Sequence, residues 1–156
     1  MTKMGSKRTT PQKPLNKKSI NTIPKLKRKL WTIFSTFTRM RDCFESTGST
    51  EWGFCFTCGK RYHFKLLQAG HFIPGRNNAV LFSERGVHAQ CYNCNINLKG
   101  NTLEYRRGII KKYGDGVDEE LEEESRQTIK FTVSQLEEMI IDYEKRIKEL
   151  EQANRT

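Results

Sequence analysis

The sequence predicts an α+β protein in which a small β core is pinned by cysteines between an N-terminal and a C-terminal helix. Three observations lead there. Four of the five cysteines form two Cys-x2-Cys pairs, Cys55/Cys58 and Cys91/Cys94, with 32 residues between the pairs. Stripes of apolar residues at three- and four-residue steps lie near each end of the chain, the spacing of amphipathic helices. Only 35% of the 156 residues are apolar and 29% are charged, which excludes a second large core. A small domain of this kind leans on a metal or a partner to stay folded.

Residues 1–23 are rich in Lys, Thr, Ser, Asn and Pro and read as a disordered basic arm. Pro24 suits a first helical position, and Leu26, Leu30, Ile33, Phe34, Phe37 and Met40 form one face of a helix whose other faces carry Lys25, Lys27, Arg28, Lys29, Arg39 and Arg41. Ser46–Ser49 reads as a turn. From Trp52 to Phe72, short aromatic and aliphatic runs predict a β-ribbon carrying the first cysteine pair, with Gly59 and Lys60 at its turn. Residues 73–86 read as an irregular loop. Asn101 or Thr102 caps a helix running to Tyr113, with Leu103, Ile109, Ile110 and Tyr113 as apolar members and Gly114 as its stop. The acidic residues of 115–124 read as a solvated linker or helix face. Thr132 and Gln135 fit a capping box, and Leu136, Met139, Ile140, Tyr143, Ile147 and Leu150 supply a stripe for packing on the rest of the domain. The expected organisation is therefore an arm over 1–23, a core with its N-terminal helix over 24–114, an acidic linker over 115–131 and a C-terminal helix over 132–156.

Thiolates with two residues between them both reach one tetrahedral ion, so Cys55, Cys58, Cys91 and Cys94 predict a closed structural Zn2+ site. No signal-peptide core or bilayer-spanning run is present, and a reducing compartment favours zinc over disulfides. Cys43 stands outside the pattern and reads as a small buried hydrophobe. The net charge of +10 is uneven: the first 41 residues hold twelve Lys/Arg and no acid. Such an arm neutralises phosphates, which predicts salt-sensitive binding of nucleic acid rather than of a membrane.

Zinc between the pairs would bring His71, in Gln68-Ala69-Gly70-His71, close to Asn95, which follows the last cysteine. That is the logic of a ββα-metal site. Phosphodiester cleavage needs a base to deprotonate water and a cation to stabilise charge on the phosphate. His71 suits the first task, and Asn95, an oxygen donor, suits Mg2+ or Mn2+. Each residue alone has a bland reading: a loop histidine is usually structural, and an asparagine often caps a helix. His88 is a second candidate ligand for the catalytic cation, a phosphate contact or a packed strand residue, and His63 reads as structural or as a phosphate contact. Arg76 and Lys99 are candidates to hold the phosphate, as are Lys27 and Arg28 on the first helix.

The run from Leu67 to Pro74, Arg76-Asn77-Asn78-Ala79, Val87 to Cys91, Cys94-Asn95, Gly100-Asn101, Glu104-Tyr105 and Lys112-Tyr113-Gly114 resembles the NinG/Rap recombination proteins of lambda-like phages. The resemblance implies a phage-encoded endonuclease of the host cytoplasm that cuts branched recombination intermediates such as Holliday junctions and D-loops. It also implies action beside a phage recombinase or annealing protein, and symmetric cutting of a junction would favour a homodimer. A more distant similarity to HNH enzymes and to the phage resolvase endonuclease VII implies an HNH-like core with His71 as general base and Asn95 as ligand of the catalytic metal. Two departures stand out: many HNH enzymes carry an acid where this chain has Gly70, and often an asparagine where it has Gly86. Either His88, Glu84 or Asn97 completes the metal shell, or the protein cuts weakly. The competing function is a non-catalytic zinc-knuckle protein that binds nucleic acid and assists recombination.

Overall fold

The computed structural model describes residues 20–156, so the expectation of a disordered basic arm falls almost wholly outside the described residues. Helix α1 (Ile23–Thr47) comes first, with Pro24 in its first turn and Gly48 closing it at φ 75°, where the Gly48 N–H reaches the Phe44 carbonyl. Two antiparallel hairpins follow. Strands β1 (Trp52–Phe54) and β2 (Arg61–His63) form the first, and β3 (Leu67–His71) and β4 (Val87–Cys91) form the second. The expected ribbon is therefore split, since Leu67–His71 pairs with β4. The loop between β3 and β4 holds one helical turn, α2 (Asn78–Leu81), capped by the Asn77 side chain. A π-type turn over Asn93–Asn97 leads into α3 (Thr102–Tyr113), and α4 (Val117–Ser125) and α5 (Val133–Ala153) complete the chain.

The two terminal stripes find each other. Leu26, Leu30, Phe34 and Phe37 of α1 pack with Leu136, Ile140 and Tyr143 of α5, and Leu81, Phe82 and Val87 close the cluster. Phe34 sits edge-on to both Phe82 and Tyr143, a favourable arrangement of ring quadrupoles. The capping box at the start of α5 forms as its residues predict: Gln135 N–H donates to the Thr132 hydroxyl and Thr132 N–H to the Gln135 side chain.

Alternation along β3 and β4 gives the second hairpin two unlike faces. Leu67, Ala69, Val87 and Ala89 pack toward α1 and Cys43. Gln68, Gly70, His88 and Gln90 share the other face, where the buried Tyr105 of α3 donates its hydroxyl to the Gly70 carbonyl at 2.6 Å. Cys43 is buried, as its apolar setting suggests. Gly53 lies so close to it that a Cβ there would stand 2.6 Å from the sulfur.

Two expectations need correction. Part of the acidic segment taken as a linker is helix α4, which buries Val117 and Leu121 against Phe72, Tyr105 and Ile109. Its acids are not simply solvated: Glu120 and Glu124 pair with Arg85 at 2.7 and 2.6 Å, and Asp118 and Glu122 pair with Arg106. On α3, Leu103 is 73% exposed and Tyr105 takes the interior position.

Truncation of Phe34 to Ala removes the ring shared by α1, α5 and the α2 segment and should cost about 3–5 kcal/mol in denaturant unfolding. Ile141→Ala, at a site 67% exposed on the outer face of α5, should change stability by less than about 0.5 kcal/mol in the same measurement.

Candidate functional site

The two cysteine pairs converge. Cys55 follows β1, and Cys58 sits in the turn that Gly59 completes at φ 70°. Cys91 ends β4, and Cys94 lies in the following π-type turn. All four sulfurs lie within 4.8 Å of one another, and Cys58 and Cys91 are 3.9 Å apart. Sulfurs about 2.3 Å from a tetrahedral centre are separated by about 3.8 Å, so the cluster has the dimensions of a Zn2+ site. Polar hydrogens aim at the sulfurs: Cys91 N–H points at Cys55 Sγ and the Asn101 amide at Cys94 Sγ. Burial opposes ionisation of Cys55, yet backbone N–H groups and the Thr57 hydroxyl bring it down to about 7. Burial and the neighbouring Cys55 push Cys58 up to about 12. Four crowded thiolates are tenable only around a cation, which is the chemistry of a structural zinc.

Beside this cluster lies a cleft of about 520 Å³ lined by Trp31 and Arg39 of α1, Gln68 and His71 of β3, Arg76, Asn95 and Lys99. His71 and Asn95, the two residues singled out from sequence, thus face one space. The His71 ring stacks on Trp31 with centroids 5.1 Å apart. Its Nε2 lies 3.1 Å from the Leu81 carbonyl oxygen, which only accepts, so Nε2 carries the proton and Nδ1 keeps the lone pair. Burial lowers the His71 pKa and the nearby Arg76 charge lowers it further, against the Leu81 hydrogen bond, so the neutral ring prevails at pH 7. Asn95 donates from Nδ2 to Gln68 Oε1 at 2.8 Å, which turns its Oδ1 toward Gly70.

Two cations of the cleft, Arg76 and Lys99, are presented by backbone in the left-handed region. Arg76 (φ 52°) follows Gly75 (φ 97°), and Lys99 (φ 49°) precedes Gly100 (φ 91°). A side chain there costs about 1–2 kcal/mol, which surrounding packing must offset. The Arg76 guanidinium lies over the Trp31 ring, 4.6 Å from its centroid. Trp31 and Arg76 also border a second hollow of about 680 Å³, lined by Lys27 and Arg28. Lys27 is tied to Asn78 at 2.6 Å and Arg28 is exposed. Of the four predicted phosphate-binding residues, Lys99 lines the first hollow, Lys27 and Arg28 line the second, and Arg76 borders both with Trp31.

The other candidates lie elsewhere. His88 does not reach the cleft: it is fully buried, stacked on Phe56, with Nδ1 2.9 Å from Asp42 and Nε2 3.0 Å from Tyr113. Both ring nitrogens are engaged, which removes it as a cation ligand. Glu84 is held by Arg146 at 2.5 and 2.9 Å and by the Tyr143 hydroxyl, against α5. Asn97 bonds Asn93 on the exposed face of the turn. His63 accepts from Lys65 N–H and meets the Trp52 ring edge-on, a local structural role. Sequence reasoning missed Trp31, Gln68 and Gln90. The period-two pattern places Gln68 and Gln90 opposite each other on one hairpin face. Gln90 is fully buried and its Oε1 has no partner among the described residues, an omission worth about 1–3 kcal/mol.

Outside the cleft lining, Asp42 clamps α1 to β4. Its Oδ2 accepts from Ala89 N–H at 2.6 Å and from His88 Nδ1, and its Oδ1 from Arg41 Nε at 2.8 Å. Burial alone would raise its pKa, but these bonds and the Arg41 charge outweigh it and hold Asp42 at about 2. Burial likewise lowers the His88 pKa, so the ring serves Asp42 as a neutral N–H donor.

A family profile described as Bacteriophage Lambda NinG protein matches residues 3–153. The chain is 27% identical over 97 residues to protein NinG of Escherichia phage lambda and 27% identical over 97 residues to that of Salmonella phage P22. It is 28% identical over 97 residues to that of Escherichia phage 933W. Each match covers 62% of this chain and 47% of the relative, so the chain spans about half the length of the curated relatives it matches. No solved structure gives a significant match.

Stripping zinc with a strong chelator should unfold the domain, because structural zinc binding contributes folding free energy. Circular dichroism should show the loss, while Cys43→Ala should retain one zinc per chain by elemental analysis. Acid should also weaken the fold through Asp42. A carboxyl whose folded pKa of about 2 lies below its ordinary 3.8 gives stability that is complete above about pH 4. That contribution, roughly 2 kcal/mol, is lost as pH falls from 4 to 2. Denaturant titrations across that range should show the loss in the wild type, and Asp42→Asn should flatten it.

Proposed function

The chain belongs to the bacteriophage lambda NinG family, and from that premise we propose that it is an endonuclease that uses Mg2+ or Mn2+ to cut branched DNA such as four-way junctions and D-loops. The observation that carries the reading is a neutral histidine and an oriented amide oxygen on one cationic cleft beside a four-cysteine cluster. The order of parts, hairpin, second cysteine pair and then helix, supports reading the core as an HNH-like ββα-metal unit.

In this reading His71 acts as general base. Its Nε2–H is anchored on Leu81, and Nδ1 takes the proton of an attacking water. Stacking on Trp31 fixes the plane of the ring, and the lowered pKa keeps it competent at neutral pH. Asn95 would hold the divalent cation through its oriented Oδ1, and a cation bound there would stabilise charge on the phosphate and leaving oxygen. Arg76 and Lys99 grip the phosphate from either side, and Lys27 and Arg28 extend the contact along the backbone. None of these contacts reads a base, which suits a protein that recognises branched shape.

A second reading has its own supporting observation: among the described residues, the cleft lining contains no Asp or Glu. A site without a carboxylate suits a non-catalytic zinc-knuckle protein that binds nucleic acid and assists recombination partners.

Nicking of a synthetic four-way junction separates the two. Wild-type protein should cut with Mg2+ or Mn2+, His71→Ala should lose about 10²–10⁴-fold in rate, and Asn95→Ala should lose its response to the divalent ion. Arg76→Ala and Lys99→Ala should weaken binding and each reduce the salt slope by about one. Tight junction binding with no cutting under any divalent ion would instead establish the binding protein.

A further inference from the structure

We infer that the second hollow, between the start of α1 and Arg76, is a pocket for one unpaired nucleobase, which holds a nucleotide splayed from the duplex beside the phosphate in the cleft. The inference deepens the nucleic-acid side of the proposed function and rests on it for the phosphate chain that enters the cleft.

The hollow combines two kinds of wall. Ile23, Pro24, Trp31 and Leu81 give it apolar surface, and Ile23 stays 40% exposed while Leu26 and Leu30 of the same helix are buried. Lys27, Arg28 and Arg76 supply positive charge, and among the described residues no Asp or Glu lines the hollow. Elsewhere the chain neutralises its arginines: Arg85, Arg106 and Arg146 each pair with acids. Here Lys27 meets the Asn78 amide oxygen and Arg76 the Trp31 ring, neither of which is a countercharge, and Arg28 is exposed. A volume of about 680 Å³ falls within the roughly 300–1,000 Å³ of small-ligand sites, enough for a base and its sugar.

Apolar walls beside uncompensated cations suit a ligand with flat apolar faces on an anionic chain, which describes a nucleotide out of its stack. An unpaired base stacks on aromatic rings and on guanidinium planes. A base inside a duplex keeps its faces against its neighbours and offers only its edges, so a fully paired arm puts nothing into the hollow. The hollow and the cleft share Trp31 and Arg76. Lys27 precedes Trp31 by about 6 Å along the axis of α1, at about 1.5 Å per residue. A phosphate gripped by Arg76 therefore leaves the base of an adjoining nucleotide within reach of the hollow. The N-terminal arm is not the occupant that charge favours, because residues 1–19 carry six Lys/Arg and no acid. Bases come free of their partners at a branch, so such a pocket recognises the branch without reading its sequence.

The test uses the full zinc-loaded chain without added Mg2+ or Mn2+, so that the DNA stays intact, and measures binding to a synthetic fork with one single-stranded arm. Abasic sites are placed one at a time along the first few unpaired positions. One position should lose about fivefold or more in affinity when its base is removed, and 5-iodouracil at that position should photocrosslink to Trp31. Thr32→Trp, which fills the hollow from the exposed side of α1, should erase the abasic difference while zinc content, circular dichroism and affinity for a fully paired duplex stay unchanged. Ile23→Ser, which removes an apolar wall and adds no bulk, should shrink the difference should Trp disturb the fold. If no abasic position matters, if the difference survives in both variants, or if the crosslink forms at Trp52 or Tyr92, the hollow takes no base and the inference is overturned. A chain that binds neither fork nor duplex loses the underlying nucleic-acid reading, a result distinct from binding that ignores the base. Nicking assays with Mg2+ or Mn2+ keep catalysis separate: cutting without base dependence removes the pocket and leaves the nuclease, whereas base dependence without cutting leaves the pocket and removes the nuclease.

Discussion

Four sulfurs within 4.8 Å of one another set the geometry of everything around them. They fasten the turn of the first hairpin to the end of the second and to the start of the turn that bears Asn95. The cleft inherits its shape from this junction: one wall is β3, another is the π-type turn beginning beside Cys94, and α1 forms the third. Hydrophobic burial alone would fix these walls poorly, because the cluster around the cysteines contains few large apolar residues besides Leu67. The larger apolar core, shared by α1 and α5, lies on the opposite face of the β3–β4 hairpin from Gln68 and Gln90. One metal-sized knot therefore positions the polar chemistry, and one conventional core holds the frame on which it rests.

Most of the framework was legible in the sequence because it follows from local signals. Cysteine spacing predicted the cluster, Pro24 and the three-four stripe predicted α1, and Thr132 with Gln135 predicted the start of α5. The acidic stretch was misjudged because charge masked its two apolar anchors, Val117 and Leu121, which sit four residues apart and bury one side of α4. Leu103 and Tyr105 exchanged roles for a related reason: hydropathy ranks leucine above tyrosine, but only tyrosine brings a hydroxyl to the Gly70 carbonyl.

The site was half legible. His71 and Asn95 were recoverable because the cysteine pairs bracket one and precede the other. His88 was misplaced because spacing along the chain cannot show that the distant Asp42, Tyr113 and Phe56 engage its ring. Trp31 and Gln90 left no local trace: one reads as an ordinary member of a helix, the other as one polar residue in a strand. Their importance comes from long-range placement, Trp31 under His71 and Arg76, and Gln90 against a glycine.

The partnership of the first and last helices has a consequence for how the molecule comes into being. Asn21 bonds Glu137 across 116 positions of sequence, and the apolar stripe of α1 is covered by α5. A ribosome working at roughly 5–20 residues per second would leave that stripe bare for several seconds or more while the intervening chain is made. During synthesis the zinc knot closes over a nearer span than the helix pair, so the nascent polypeptide should pass through a stage with its cysteines engaged and a greasy helix still seeking cover.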